Sequence, residues 1–452
     1  MRRMKRITLL GLFCTWGACH AQHAADIVDA DGADVAAPDT TDAPPVDDDA
    51  PFAAQRAGCA FAAGTPAKDT FGPSLASQPI PLDVFVIMVH ENRSFDHYLS
   101  QLPAFGQPDV AVAADNASIP GPNNTTVTRF HQTSLCAADA GHSWNAMHHD
   151  WNNGLNDGFA ITNVTAADPT GKHSVGYYDA TDLPFYYAAA NTFAINDHYF
   201  SPTLTSTGPN RLYLYAATSN GSITNNGSAG IPVAKTIFGL MQNSAVTWKV
   251  YSTSTYSFEG SIFSSLPTSY PQKFGSMTDF AADAAAGTLP NVVFLYPGSD
   301  EHPPADVQSG QHDSATLYAK LAASPQWGRL AVFYTYDEAG GFYDHMPPPK
   351  ACAPDTVPPA LAAGDRPGDF AQYGFRVPLI VASAWAKPHY VSHVVNDHTS
   401  ILRLLELRFS LPALTARDAN ANGLLDLFDF THASFPTAPP LPAAPVELAR
   451  KC

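Results

Sequence analysis

The stretch VFVIMVHENRSFDHYL, residues 84–99, decides the fold. Val84, Phe85, Val86, Ile87, Met88 and Val89 are apolar without interruption. A strand that is apolar at every position is buried on both faces, as in a parallel sheet covered by helices. The run stops abruptly at His90-Glu91-Asn92-Arg93. Open α/β sheets hold their ligand crevices just past the carboxyl ends of such strands. Glu91 and Asn92 both offer oxygen, the hard donor that divalent cations prefer. The bland alternative is a polar cap on a core strand.

Outward from this stretch, further apolar runs lie at 246–251, 292–296, 330–336 and 377–383. Helix-compatible segments at 277–286, 315–323 and 400–409 alternate with them. That alternation predicts an α/β fold, a doubly wound and mostly parallel sheet with helices on both faces. The connections at 100–180 and 200–235 are long and rich in Gly, Pro, Asn and Ser, a pattern typical of functional loops on a rigid sheet.

The run at 330–336 repeats the logic of the first. It leads into Asp337-Glu338-Ala-Gly-Gly-Phe-Tyr-Asp-His345. If the two strands are neighbours, Glu91, Asn92, Asp337 and Glu338 converge. Clustered carboxylates repel, so the arrangement is costly without a cation and a good cage with one. One divalent metal ion of unspecified identity is therefore expected.

Of the 17 histidines, two stand out in polar loops: His142 in GHSWNAMHHDW and His302 in DEHPPADV, shortly after the strand at 292–296. The segment SPTLTSTGPNRLY offers the hydroxyls Thr203, Thr205, Ser206 and Thr207. A hydroxyl on a divalent cation loses its proton more readily and becomes a nucleophile. Spacing alone does not choose among these four.

Taken together, ENRSFDHYL, GHSW with NNGLNDGF, STGPNRLY, DEHPPADV, YDEAGGFYDHMPPP, and HTSILRLLELRF with RDANANGLLDLFDF are in the order of one known family. Over residues 80 to 430 the chain resembles the phosphoesterase family of bacterial and plant non-specific phospholipases C and related acid phosphatases, of alkaline-phosphatase-like fold. The resemblance implies Glu91 and Asn92 as the first pair of metal ligands and Asp337 and Glu338 as the second. It implies Thr207 as nucleophile and further metal ligand, and His142 and His302 beside the phosphoryl group. His148, Asn210 and Asp306 fit the pattern as substrate-binding positions, and Arg93, Asp96, His97 and Arg211 as scaffold. The implied activity is cleavage of phospholipid phosphodiesters through a covalent phosphothreonine. The alternative is an acid phosphatase acting on phosphomonoesters, and a remote one is an inactive surface binding protein that keeps the fold. Asp418-x-Asn420-x-Asn422-Gly423 approximates an EF-hand loop but has Asp429 where a bidentate Glu is usual, and a helix-starting turn is the better reading.

The ends of the chain speak to compartment. Arg2, Arg3, Lys5 and Arg6 precede the apolar run 7–13 and small residues up to Ala21, which reads as a signal peptide over 1–21. The alternative is a lipoprotein with a membrane tether through Cys19. Residues 23–50 hold nine aspartates and no Lys or Arg, so 22–55 is read as a disordered spacer and 56–452 as a single catalytic domain. Cys59, Cys136, Cys352 and Cys452 remain beyond the signal, which suits two disulfides in an exported protein. Of the three pairings, Cys59–Cys452 with Cys136–Cys352 is expected. The net charge of −17 argues against nucleic acid or an anionic membrane as an electrostatic partner. The expected location is extracytoplasmic, and oligomeric state is not legible.

Overall fold

Strand β1 (Val84–His90) is buried at every position and lies in the interior of an eight-stranded sheet. The computed structural model describes residues 47–253, 257–299, 301–447 and 450–452. The expected signal peptide, most of the expected spacer and Cys19 lie outside the described residues.

The other strands, in chain order, are β2 (Ala194–Asn196), β3 (Trp248–Ser252), β4 (Phe274–Ser276), β5 (Val292–Tyr296), β6 (Leu330–Tyr336), β7 (Leu379–Ser383) and β8 (Tyr390–Ser392). They are arranged β8-β2-β7-β6-β1-β5-β3-β4. Every neighbouring pair is parallel except those made by β7, which runs antiparallel to β6 and β2. The expected mostly parallel, doubly wound sheet is what forms. The short strands β2, β4 and β8 have too few residues to stand out as apolar runs.

Side chains alternate across β1 as a strand requires. Helices used below are α1 (Ala50–Ala57), α2 (Phe95–Leu99), α3 (Trp144–Trp151), α4 (Pro184–Thr192), α5 (Thr207–Ala216), α6 (Met277–Ala286), α7 (Val307–Ala322) and α8 (His398–Phe409). Phe85 packs edge-on against Phe409 of α8, with ring centroids 5.7 Å apart. Met88 and His90, on the opposite face, meet Ser314 of α7, whose Oγ is 2.9 Å from His90 Nε2. Both faces of the strand are thus covered by helices, which is why a polar residue inside the run would be costly.

Two expectations are corrected. The chain is already helical at α1, inside the segment read as spacer; Arg56, buried in that helix, pairs with Asp49 at 2.7 Å and donates to Asn422 and the Thr70 carbonyl. Aspartate density there serves an ion pair, which composition does not distinguish from solvation. The disulfides are Cys59–Cys352 and Cys136–Cys452, with Cα separations of 5.5 and 5.3 Å. The carboxyl end is fastened to the loop of Cys136, a three-dimensional proximity that sequence order does not encode. Two disulfides suit an oxidising compartment. No helix among the described residues is long and apolar enough to cross a membrane.

A buried ion-pair network braces the loops over the sheet. Arg376 contacts Asp344 at 2.8 Å and Asp96 at 3.3 Å, and His345 Nδ1 meets Asp96 at 2.7 Å. Burial raises the Asp96 carboxyl, but Arg376 and His345 outweigh it and hold it well below the usual range. Burial lowers His345, but its hydrogen bond to Asp96 and that charge outweigh it and raise its pKa. The depressed carboxyl adds stability above its ordinary value of about 4, lost as pH falls. The raised imidazole adds stability below its ordinary value of about 6.5, lost as pH climbs through the raised one. The pair therefore stabilises most between about pH 4 and 6.5. His345→Gln is expected to cost on the order of 2 kcal/mol in that window and less above pH ~8, read by urea unfolding across pH. An equal loss at all pH values would rule out the charged pair.

Candidate active site

Strands β1, β5 and β6 are adjacent and parallel, so their carboxyl ends open on one edge of the sheet. Glu91 and Asn92 follow β1, His302 lies beyond β5, and Asp337 and Glu338 follow β6. His90 is in register with Tyr336, which places Glu91 beside Asp337. The Asn92 N–H donates to Asp337 Oδ1 at 3.3 Å and the Arg93 N–H to the Glu338 carbonyl at 3.1 Å. Asn92 has φ 64°, a left-handed conformation that Asn tolerates better than most residues. Gly340 is close against it: a Cβ there would lie 2.5 Å from the Asn92 carbonyl oxygen.

The donor set fits a hard cation. Asn92 Oδ1 and Glu338 Oε1 are buried oxygens with no hydrogen-bond partner among the described residues. Asn92 Nδ2 faces the ring of His142, 3.4 Å from its nitrogens, which leaves the amide oxygen to the cluster. Glu338 Oε2 accepts the Gly340 N–H at 2.6 Å, and Asp337 Oδ2 accepts Arg211 Nε at 3.0 Å. Burial raises the Asp337 carboxyl although Arg211 pulls it down. Glu338 is raised further, first by burial and then by Asp337. Orphaned oxygens among mutually repelling carboxyls are what a divalent ion would satisfy.

Thr207 is the first residue of α5. It lines a cleft of about 470 Å³ together with Glu91, His142 and His302, while Phe258, Ile262 and Tyr296 supply apolar wall. The two histidine rings are 5.7 Å apart and edge to face. Each has its tautomer set by a carbonyl: His142 Nδ1 donates to Ala140 at 2.7 Å and His302 Nδ1 to Pro303 at 2.6 Å. An anion beside Thr207 would face the positive end of the α5 dipole.

The arginine and aspartate positions expected as scaffold serve as such. Arg211 bonds Asp337 and the Val89 carbonyl and lies 3.7 Å over the Phe258 ring. Arg93 donates to the Glu301 carbonyl. His97 is buried between Phe342 and Tyr178, with a strongly lowered pKa caused by burial.

Three other expected positions are not brought to the cleft. His148 Nδ1 bonds the Trp144 carbonyl one turn back at 2.8 Å, and its ring stacks on Trp144 beside Gly368. Asn210 spends its amide on Thr203 N–H and the carbonyls of Thr205 and Ser206, clamping the turn before α5. Asp306 caps α7 and pairs with Arg450 at 2.8 Å. All three are held by local bonds, and none of them lines the cleft. The acidic turn at 418 is helical, with Asp418 in a capping box with Thr415, as expected.

Sequence reasoning missed two supporting residues. Asn225 Oδ1 accepts the Gly208 N–H at 2.7 Å and the Ser206 hydroxyl at 3.1 Å, taking over the capping of α5. Nothing in NNGSAG announces this. His398, at the head of the quoted HTSILRLLELRF, donates from Nε2 to the Asp337 carbonyl at 2.9 Å, and burial lowers its pKa to about 3.

Among the described residues, the His, Asp and Glu groups whose ligand atoms all lie within 4.8 Å of one another are Asp197–His198–His393, Asp96–Asp344–His345 and His131–Asp179–Asp182; Glu91, Asp337 and Glu338 stand further apart than that. The first and third are closed by their own hydrogen bonds and the second by Arg376.

A hydroxyl, two histidines and paired oxygen donors thus share one edge of a parallel sheet, in a chain whose relatives place it among the ester-bond hydrolases acting on phosphoric esters. The chain belongs to the Phosphoesterase family, whose sequence profile matches residues 82–412. It is 32% identical over 431 residues to phospholipase C B of Mycobacterium tuberculosis, covering 80% of each chain. It is also 32% identical over 379 residues to non-specific phospholipase C1 of Arabidopsis thaliana, covering 75% of this chain and 69% of the relative. Among solved structures, a lipoteichoic acid synthase from Listeria monocytogenes aligns with TM-score 0.37 at 9% identity, covering 77% of this chain and 79% of that one. An alkaline phosphatase superfamily protein from Vibrio parahaemolyticus aligns with TM-score 0.35 at 10% identity, covering 54% and 64%.

Proposed function

We propose that this chain is an exported, metal-dependent phospholipase C that cleaves the phosphodiester of phospholipids through a phosphothreonine on Thr207. The observation that carries the reading is the convergence of Thr207, His142, His302 and Glu91 on one cleft, backed by the orphaned oxygens of Asn92 and Glu338. Glu91, Asn92, Asp337, Glu338 and Thr207 are the residues that would hold the cation. Bound there, it would ease loss of the Thr207 proton and neutralise charge on the phosphoryl oxygens.

The chain's own residues do the rest. Thr207 gives its hydroxyl proton to solvent and its Oγ attacks phosphorus in line as the bond to the opposite leaving alcohol breaks; water then attacks the phosphothreonine, breaking the P–Oγ bond, and Thr207 regains a proton. The α5 amino terminus stabilises the developing charge, joined by His142 in its doubly protonated form, since its Nδ1 proton is held by the Ala140 carbonyl. His302 enters as the imidazolium: its Nδ1 proton stays hydrogen-bonded to the Pro303 carbonyl, its Nε2 proton goes to the leaving oxygen, and the neutral Nε2 later takes a proton from the attacking water. Phe258, Ile262 and Tyr296 suit an apolar diacylglycerol leaving group.

The deciding experiment assays phosphatidylcholine and p-nitrophenyl phosphate side by side, with and without a chelator. The diester is expected to win by at least about tenfold in kcat/KM, with activity lost on chelation. The reverse preference would make the chain an acid phosphatase, and full activity in the chelator would remove the metal from the mechanism.

A further inference from the structure

The residue before His302 has no part in the chemistry above, yet it is among the most tightly held in the molecule. Glu301 is wholly buried. Its Oε2 accepts from the hydroxyls of Tyr98 at 2.6 Å and Tyr336 at 2.8 Å, and its Oε1 from Tyr186 at 2.5 Å. Tyr98 belongs to α2, Tyr186 to α4, and Tyr336 ends β6 immediately before Asp337. Tyr186 also meets Ser314 of α7 at 2.9 Å. At the backbone, the Glu301 carbonyl accepts from Arg93 Nε at 3.0 Å and from Arg93 Nη2, next to the ligand pair Glu91 and Asn92.

Glu301 has φ 66°, a left-handed conformation that costs a residue with a Cβ about 1–3 kcal/mol and persists only where the surroundings overdetermine it. Room for its side chain comes from Gly310, where a Cβ would lie 2.1 Å from Glu301 Cγ. Burying a carboxylate costs several kcal/mol, which hydrogen bonds offset only with good geometry. A glutamate with fixed side chain, fixed carbonyl and left-handed backbone leaves residue 302 little freedom of direction.

We infer that Glu301 and its three tyrosines are a positioning device for His302, holding its imidazole against the phosphoryl site and tying it to both metal-ligand strands. The inference rests on the proposed role of His302. Losing such a supporting contact typically costs 10–100-fold in activity.

The test compares Glu301→Gln, His302→Ala and the double variant, on short-chain phosphatidylcholine and on p-nitrophenylphosphorylcholine. The alkyl leaving group needs a proton in the transition state; nitrophenolate does not. Glu301→Gln is expected to lower kcat about 10–100-fold on the first substrate and much less on the second, with KM nearly unchanged. In the His302→Ala background it should add less than about threefold. Tyr186→Phe and Tyr98→Phe, which remove one hydroxyl each, should shift the same ratio in the same direction and serve if Glu301→Gln does not fold. Equal losses on both substrates, additivity with His302→Ala, or unchanged kcat would overturn the inference while leaving His302 in place. A fully active His302→Ala would instead remove the proposed role of His302, and this inference with it.

Discussion

Replacing Thr207 by Ala is expected to reduce turnover by roughly 10⁴-fold or more, because it deletes the atom proposed to take up the phosphoryl group. The fold should survive. Thr207 opens α5, where alanine is tolerated, and the capping of that turn comes from Asn225 and not from the Thr207 side chain. Metal content should fall modestly at most, since Glu91, Asn92, Asp337 and Glu338 remain. Thr207→Ser keeps the hydroxyl and should retain measurable activity. Substrate turnover, metal analysis and a thermal melt on the three proteins check this. Undiminished turnover in the alanine variant would move the nucleophile to another hydroxyl, Ser206 being the neighbour.

Glu338→Gln should act in opposite directions on metal and on fold. Glu338 is fully buried, with Asp337 beside it and Glu91 adding further repulsion. In the metal-free protein, its charge is a cost with no cation to offset it. Gln keeps the acceptor for the Gly340 N–H and has nearly the same volume. The metal-free variant is expected to unfold about 1–3 kcal/mol later than the metal-free parent. Affinity for a divalent ion should fall by about 100-fold, because a charged hard donor has been lost. Calorimetric titration with a divalent metal and urea unfolding in chelator measure the two effects separately. Full metal affinity in the variant would exclude Glu338 as a ligand. A destabilised metal-free variant would mean that the carboxylate has a structural partner other than a cation.

How much of this was legible in the chain follows from the range of the forces involved. The runs at 292–296 and 330–336 coincide with β5 and β6, because strands buried on both faces require apolar side chains at every position. The helix at 277–286 is likewise α6. Short edge strands such as β2 and β8 carry no such mark, since three residues do not make a period. Glu91, Asn92, Asp337, Glu338, Thr207, His142 and His302 could be singled out because each stands in a motif of chemically distinctive residues, and Glu91, Thr207, His142 and His302 do line one cleft. His148, Asn210 and Asp306 stand in motifs too. Their side chains answer to local needs: a helix carbonyl, a turn and a cap.

The buried parallel strands, the polar groups at their carboxyl ends and the family can all be read from the order of residues. Those depend on burial and residue chemistry, which are written position by position. That β1 and β6 are neighbours in register, that Cys136 meets Cys452, and that three tyrosines from separate elements close on Glu301 emerges only once the chain is folded. Those facts are contacts between residues tens to hundreds of positions apart, set by the packing of whole layers, and no local stretch of the chain records them.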